Sequence, residues 1–182
     1  MNIRKSVILS TILIFGLCLI PYSGAQNKPD VERLQARLAQ QVRHELVMLS
    51  NYSLFDNLEF GINGLDTVVL SGQVTRPSLK SDAESAVRQL EGVGKVVNKI
   101  EVLPLSPSDD RIRVAAYRAI FGKPSLEKYA QRAVPPIHII VKNGSITLYG
   151  VVLNQADKDL AGIAAREVPG TFGITNNLRT EK

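Results

Sequence analysis

The feature that most narrows the fold is an internal repeat. Moving residues 70–102 forward by 78 positions sets Leu70 on Leu148, Gly72 on Gly150, Val74 on Val152 and Lys80 on Lys158. It also sets Ala83 on Ala161, Ala86 on Ala164, Arg88 on Arg166, Gly92 on Gly170 and Asn98 on Asn176. Nine identities in 33 ungapped positions, including both glycines of the pattern, mean that one structural unit is built twice. Between the copies, Leu103-Pro104-Leu105-Ser106-Pro107-Ser108 interrupts the alternating pattern with two prolines and two serines and reads as a linker. The expected division is a first domain over 30–104, a linker over 105–108 and a second domain over 109–182.

Within the first copy, Leu34, Leu38, Val42, Leu46 and Leu49 recur at helical spacing after Pro29 and Asp30. Leu58, Phe60 and Ile62 then alternate as a strand, Asn63 and Gly64 turn, and Val68 to Val74 alternate again. Pro77 suits the first turn of a second helix with Leu79, Ala83, Ala86, Val87 and Leu90 inward. Gly92 and Gly94 end it before a third strand through Val96, Asn98, Ile100 and Val102. The second copy repeats the order with Ile112, Ala116, Ala119 and Ile120, then two strands joined by Asn143-Gly144, a strong hairpin signal. A helix around Leu160, Ala161, Ala164 and Val168 and a strand through Ile174, Asn176 and Leu178 close it. The expected fold is α+β: two tandem αββαβ domains, each a small mixed sheet covered by two helices. At about 70 residues a copy has a marginal core, so docking of the copies on each other is expected.

The first 25 residues differ in kind. Arg4 and Lys5 precede an apolar run from Val7 to Ile20, then Pro21 and the small residues Ser23, Gly24 and Ala25. This is the pattern of an export signal cleaved after Ala25, too short in its apolar core for the roughly 20 residues of a spanning helix. Leu17 stands before Cys18 where a lipoprotein signal carries a small residue, so acylation of that cysteine is not expected. Cys18 is the one cysteine of the chain, and its removal leaves no thiol for disulfides, catalysis or metal binding.

Asn143-Gly144-Ser145-Ile146-Thr147-Leu148-Tyr149-Gly150-Val151-Val152 resembles the hallmark of the BON family, in which a turn glycine precedes a strand carrying Leu-x-Gly-x-Val. The first copy carries it as Val69-Leu70-Ser71-Gly72-Gln73-Val74, after a turn lengthened by Leu65 and Asp66. Gly64, Gly72, Gly92, Gly144, Gly150 and Gly170 are the glycines of this pattern. The resemblance implies an exported, periplasmic envelope protein without catalysis. Such a protein binds anionic phospholipid surfaces and supports envelope integrity under osmotic or other stress, or serves as a soluble chaperone for envelope proteins.

The residues themselves nominate no reaction centre. His44 and His138 have no second histidine or cysteine near them in sequence, so no metal or cofactor is expected. The carboxylate pairs Asp109-Asp110 and Asp157-Asp159 fall at helix starts, where they complement the dipole. No phosphate loop, nucleophile elbow or dinucleotide fingerprint occurs.

Charge marks one surface. Residues 30–104 carry 8 basic and 10 acidic side chains, whereas 109–182 carry 11 and 7. On the first helix of the second copy, Ile112, Ala116, Ala119 and Ile120 form the inward stripe, and Val114, Tyr117 and Phe121 fall about 140 to 200 degrees away. Arg111, Arg113, Arg118, Lys123, Lys128 and Arg132 lie on or just after this helix against the single acid Glu127. Aromatics flanked by cations suit a membrane surface or a protein partner, or else the face packs on the first copy. An export signal, mild net charge and few aromatics argue against nucleic acid.

Overall fold

The structure, a computed structural model, describes residues 28–132 and 134–181; the expected export signal over residues 1–25 lies outside them. Copy one comprises α1 (Lys28–Val47), β1 (Asn57–Asn63), β2 (Thr67–Val74), α2 (Pro77–Arg88), β3 (Lys95–Asn98) and β4 (Glu101–Val102). Copy two comprises α3 (Pro107–Phe121), α4 (Pro124–Ala130), β5 (Ile137–Lys142), β6 (Ser145–Val152), α5 (Gln155–Arg166) and β7 (Gly173–Thr180). In each, an antiparallel hairpin gains a parallel strand after a helical crossover, giving the orders β1-β2-β3 and β5-β6-β7. β4 continues the line of β3 along β2, from which Lys99 and Ile100 separate it. The protein is therefore α+β and built of two tandem copies.

Each copy has its own core. Leu38, Val42 and Leu46 of α1 meet Val68, Leu70 and Val74 of β2 and Leu79, Ala83 and Val87 of α2. Ile112, Ala116 and Ile120 meet Ile139, Ile146, Leu148, Ala161 and Ala164 in copy two. One expected member is missing: Leu34 is exposed. Its neighbour Gln35 donates to the carbonyl of Gly64, so this part of α1 lies beside the β1–β2 turn.

Twin asparagines fasten the crossovers. Asn98 donates to the Lys80 carbonyl at 2.9 Å and accepts from Ile100 N–H, while Asn176 donates to the Lys158 carbonyl at 2.8 Å and accepts from Leu178 N–H. Each thus ties a helix carbonyl to a strand amide through one side chain. This explains why a polar residue recurs at an inward strand position.

Copy two departs from the plain order at both ends of α3. Its N-terminus reaches back into the expected linker, with Ser106 as N-cap accepting from Asp109 N–H and Pro107 in the first turn. At the other end α4 is an additional helix. It packs Leu126 and Tyr129 into the same core as Phe121.

The copies meet through the segment between α1 and β1. Ile139 N–H of β5, at the edge of the second sheet, donates to the Leu54 carbonyl at 2.7 Å, and Leu54 and Phe55 pack against the second core. Asp56, fully buried, holds this segment: one carboxylate oxygen accepts from Thr75 N–H and hydroxyl, the other from Ser53 N–H and hydroxyl. A Lys142–Glu101 ion pair at 2.6 Å lies across the same junction, about half exposed on both sides and so a minor contributor.

The Tyr52 and His138 rings stack across the junction, with centroids 5.5 Å apart. Burial pushes the Tyr52 hydroxyl up to about 12 and lowers the His138 imidazole below its ordinary value; the nearby backbone of Asp56 and Ser53 and the Asp56 charge oppose the second shift. Folding therefore favours neutral His138. The unfolded chain binds more protons below its own histidine value of about 6.5, so this stability is complete above that pH and is lost as pH falls through it. Thermal melts taken from about pH 7.5 down to about pH 5.5 should show a drop in midpoint that His138→Phe reduces. Equal slopes in the two proteins would remove His138 from the account.

An exposed face on the first helix of copy two

The candidate surface is sorted by the fold into buried, paired and open members. Phe121, expected outward, is only 6 % exposed, because the chain reverses after Gly122 and α4 lays Leu126 and Tyr129 over it. It joins the core of its own copy. Arg113, also expected outward, is 6 % exposed: it donates to the Val141 carbonyl at 2.8 Å and to the Asp110 carboxylate, tying α3 to the end of β5. Both residues are structural and leave the surface.

Two of the cations are engaged. Lys123 pairs with Glu167 at 2.9 Å, and Lys128 with the buried Asp157 at 2.8 Å. Around Asp157 the Tyr129 hydroxyl donates at 2.6 Å and itself accepts from Leu153 N–H, so α4 is pinned to the first turn of α5. The Lys128 ammonium, followed by the Tyr129 hydroxyl, holds the Asp157 carboxyl below its usual range. Burial, followed by the hydrogen bond to Asp157, raises the Tyr129 hydroxyl. This cluster is a fastening, with one Asp157 carboxylate oxygen shared by Tyr129, Lys128 and Asn154.

What remains open is compact. Arg111, Val114, Tyr117 and Arg118 are exposed on α3, Val114 at 45 % and Tyr117 at 38 %. Arg111, Val114 and Arg118 follow one another at helical spacings of three and four, spanning about 10 Å. Among the described residues neither arginine has an acidic partner within ion-pair distance. Arg118 is shared by two shallow depressions of about 380 and 410 Å³. Arg111, Val114 and Asp110 border the first; Tyr117, Gly122 and Glu127 border the second. Arg113 already pairs with Asp110, so Glu127 is the uncommitted acid at the rim. The ring of Tyr117 rests on Phe121 at 5.1 Å, so a core residue steadies it from beneath.

Sequence reading missed α4 because seven residues are too few to show a helical period. Pro124 followed by Leu126, Tyr129 and Ala130 is the signal that was available. It also missed the part played by Asp109. That carboxylate, 2 % exposed, accepts from the amides of Asn143 and Gly144 at 3.0 and 2.8 Å and so clamps the β5–β6 turn to the start of α3.

The six pattern glycines, Gly64, Gly72, Gly92, Gly144, Gly150 and Gly170, all have positive φ. Gly72 and Gly150 carry a further demand, because the neighbouring strand's backbone lies where a side chain would be: a Cβ would stand 2.0 Å from the Asn57 carbonyl oxygen and 1.8 Å from that of Pro136. Among the described residues no group of three or more metal-ligating side chains occurs, and no helix is long and apolar enough to cross a membrane.

Two stretches of the chain, residues 34–104 and 123–182, match the family model described as the BON domain. The second match begins at Lys123, so α3 and its exposed face precede it. Two solved structures resemble the fold, both of CdsD, a structural protein of the type III secretion system of Chlamydia trachomatis. One, its C-terminal domain, has 15 % identity, covers 80 % of this chain and 98 % of that one, and has a TM-score of 0.28. The other has 13 % identity, covers 80 % and 94 %, and has a TM-score of 0.29. At such scores nothing about this chain follows from them. No curated protein matches. The family matches span well over half of the 182 residues, one in each copy of the repeat, and the chain belongs to the BON-domain family.

Proposed function

We propose that the protein is a lipid-surface module of the cell envelope, docking on anionic phospholipid through the open face of α3. The observation that carries this reading is the grouping of Arg111, Val114, Tyr117 and Arg118 on one exposed face without an acidic ion-pair partner. Arginine presents a planar, permanently charged fork suited to phosphate oxygens, and an adjacent tyrosine suits the boundary between headgroup and acyl chain. The depressions on either side of Arg118 give a headgroup somewhere to sit. The distribution of charge agrees, since residues 109–182 are net basic and 30–104 net acidic. Copy one then serves as scaffold, bracing β5 from behind with Leu54 and Phe55.

Each cation near an anionic surface contributes roughly 1 kcal/mol, and the gain is screened within about a Debye length. Two open arginines therefore support reversible docking. Flotation with phosphatidylcholine vesicles, with and without phosphatidylglycerol, tests this: the protein should float with the anionic vesicles at low salt and be released by added salt. Equal recovery with both vesicle types rejects the proposal.

A further inference from the structure

One aromatic side chain of copy two stands almost wholly in water. Phe172, between α5 and β7, is 88 % exposed, the most exposed aromatic among the described residues. Its position is firmly held by backbone contacts. The Phe172 amide donates to the Gly144 carbonyl at 2.9 Å, and the next residue, Gly173, opens β7 opposite Ser145. Its ring borders Gly144, where an added Cβ would stand 2.4 Å from a ring carbon. The other side of the ring is free. Copy one has Gly94 at the equivalent repeat position, so only copy two presents an aromatic there.

The hairpin that seats this ring is also bound to α3. Asp109 accepts from both amides of the Asn143-Gly144 turn, and Arg111 lies two residues farther along the helix. One end of copy two therefore combines an exposed phenyl ring with a rigid two-residue turn fastened to the helix that carries Arg111. Water is a poor environment for such a ring, and covering it is favourable. The net positive charge of residues 109–182 selects an occupant that is anionic at its surface and apolar beneath.

We infer that Phe172 is the residue with which copy two enters the acyl layer of an anionic phospholipid surface, while Arg111 and Arg118 hold the headgroups. This rests on the lipid-surface reading of α3 and adds the inserting side chain to it. Cations alone would leave the protein at headgroup level. A ring carried on a rigid turn supplies shallow insertion without reorganising the fold.

The chain contains no tryptophan, so Phe172→Trp introduces a single indole emission at the tip. On adding vesicles of phosphatidylcholine with phosphatidylglycerol, the emission should shift to the blue and be quenched by bromine on the acyl chains. Phe172→Ser, a change at an exposed site, should melt like the parent and bind these vesicles on the order of tenfold more weakly. Flotation with an unshifted emission would overturn insertion by Phe172 and leave the reading of α3 standing. Failure to float would overturn both. A blue shift that grows with protein concentration in the absence of lipid would assign the ring to contact between copies of the chain, and would also overturn the inference.

Discussion

Gly150→Ala is expected to unfold copy two while leaving copy one largely folded. The φ of Gly150 is +123°, a region that side-chain-bearing residues seldom occupy, and its Cβ would lie 1.8 Å from the Pro136 carbonyl oxygen. Backbone strain of this kind costs about 1 to 3 kcal/mol, and the overlap is with main chain that cannot rotate away. The Pro136 carbonyl also accepts from Val151 N–H, so retreat of that strand would break a hydrogen bond. A loss of about 3 kcal/mol or more takes a large share of the 5 to 15 kcal/mol that a small domain has. Urea denaturation followed by circular dichroism should show a new early transition of roughly half the parent amplitude. Gly72→Ala should do the same to copy one, whose Cβ would meet the Asn57 carbonyl oxygen at 2.0 Å. A Gly150→Ala protein that melts with the parent would show that β5 and β6 are not held as described.

The second large effect concerns binding. Arg111→Glu with Arg118→Glu exchanges two attractions for two repulsions and should weaken docking on anionic vesicles on the order of a hundredfold at low salt, after allowance for screening. The same exchange at Arg33 and Arg37 of α1 should cost far less, because residues 30–104 are already net acidic. Arg111 and Arg118 are exposed and, among the described residues, unpaired, so the double variant should keep the parent melting temperature. Folded protein with undiminished binding would place the lipid contact elsewhere.

The architecture was legible because its signals are local and occur twice. Asn143 and Gly144 both take positive φ in the two-residue turn that their pairing announces, and Leu70 and Val74 hold the same register on the parallel crossover strand as Leu148 and Val152. The surface was legible only in part, since a helical wheel reports direction and not what stands in that direction. Phe121 points away from the Ile112 stripe as expected, yet α4 comes to cover it. Arg113 is drawn inward by the Val141 carbonyl at the end of β5, 28 residues away in sequence, a contact that no local pattern announces. Leu34 has the right period, yet it is exposed where α1 passes the β1–β2 turn. Phe172 is the reverse case: a short loop after α5 gave no periodicity to read, and its exposure follows from the position of Gly144.

The central claim is that α3 of the second copy is the lipid-facing surface. Amide chemical-shift mapping of the isotopically labelled protein during titration with small anionic phospholipid bicelles addresses it residue by residue. The account predicts that the largest changes and line broadening fall on Arg111 to Arg118 and around Phe172, with α1 and α2 nearly unchanged. Changes centred on the first copy, or spread evenly over both, would contradict it.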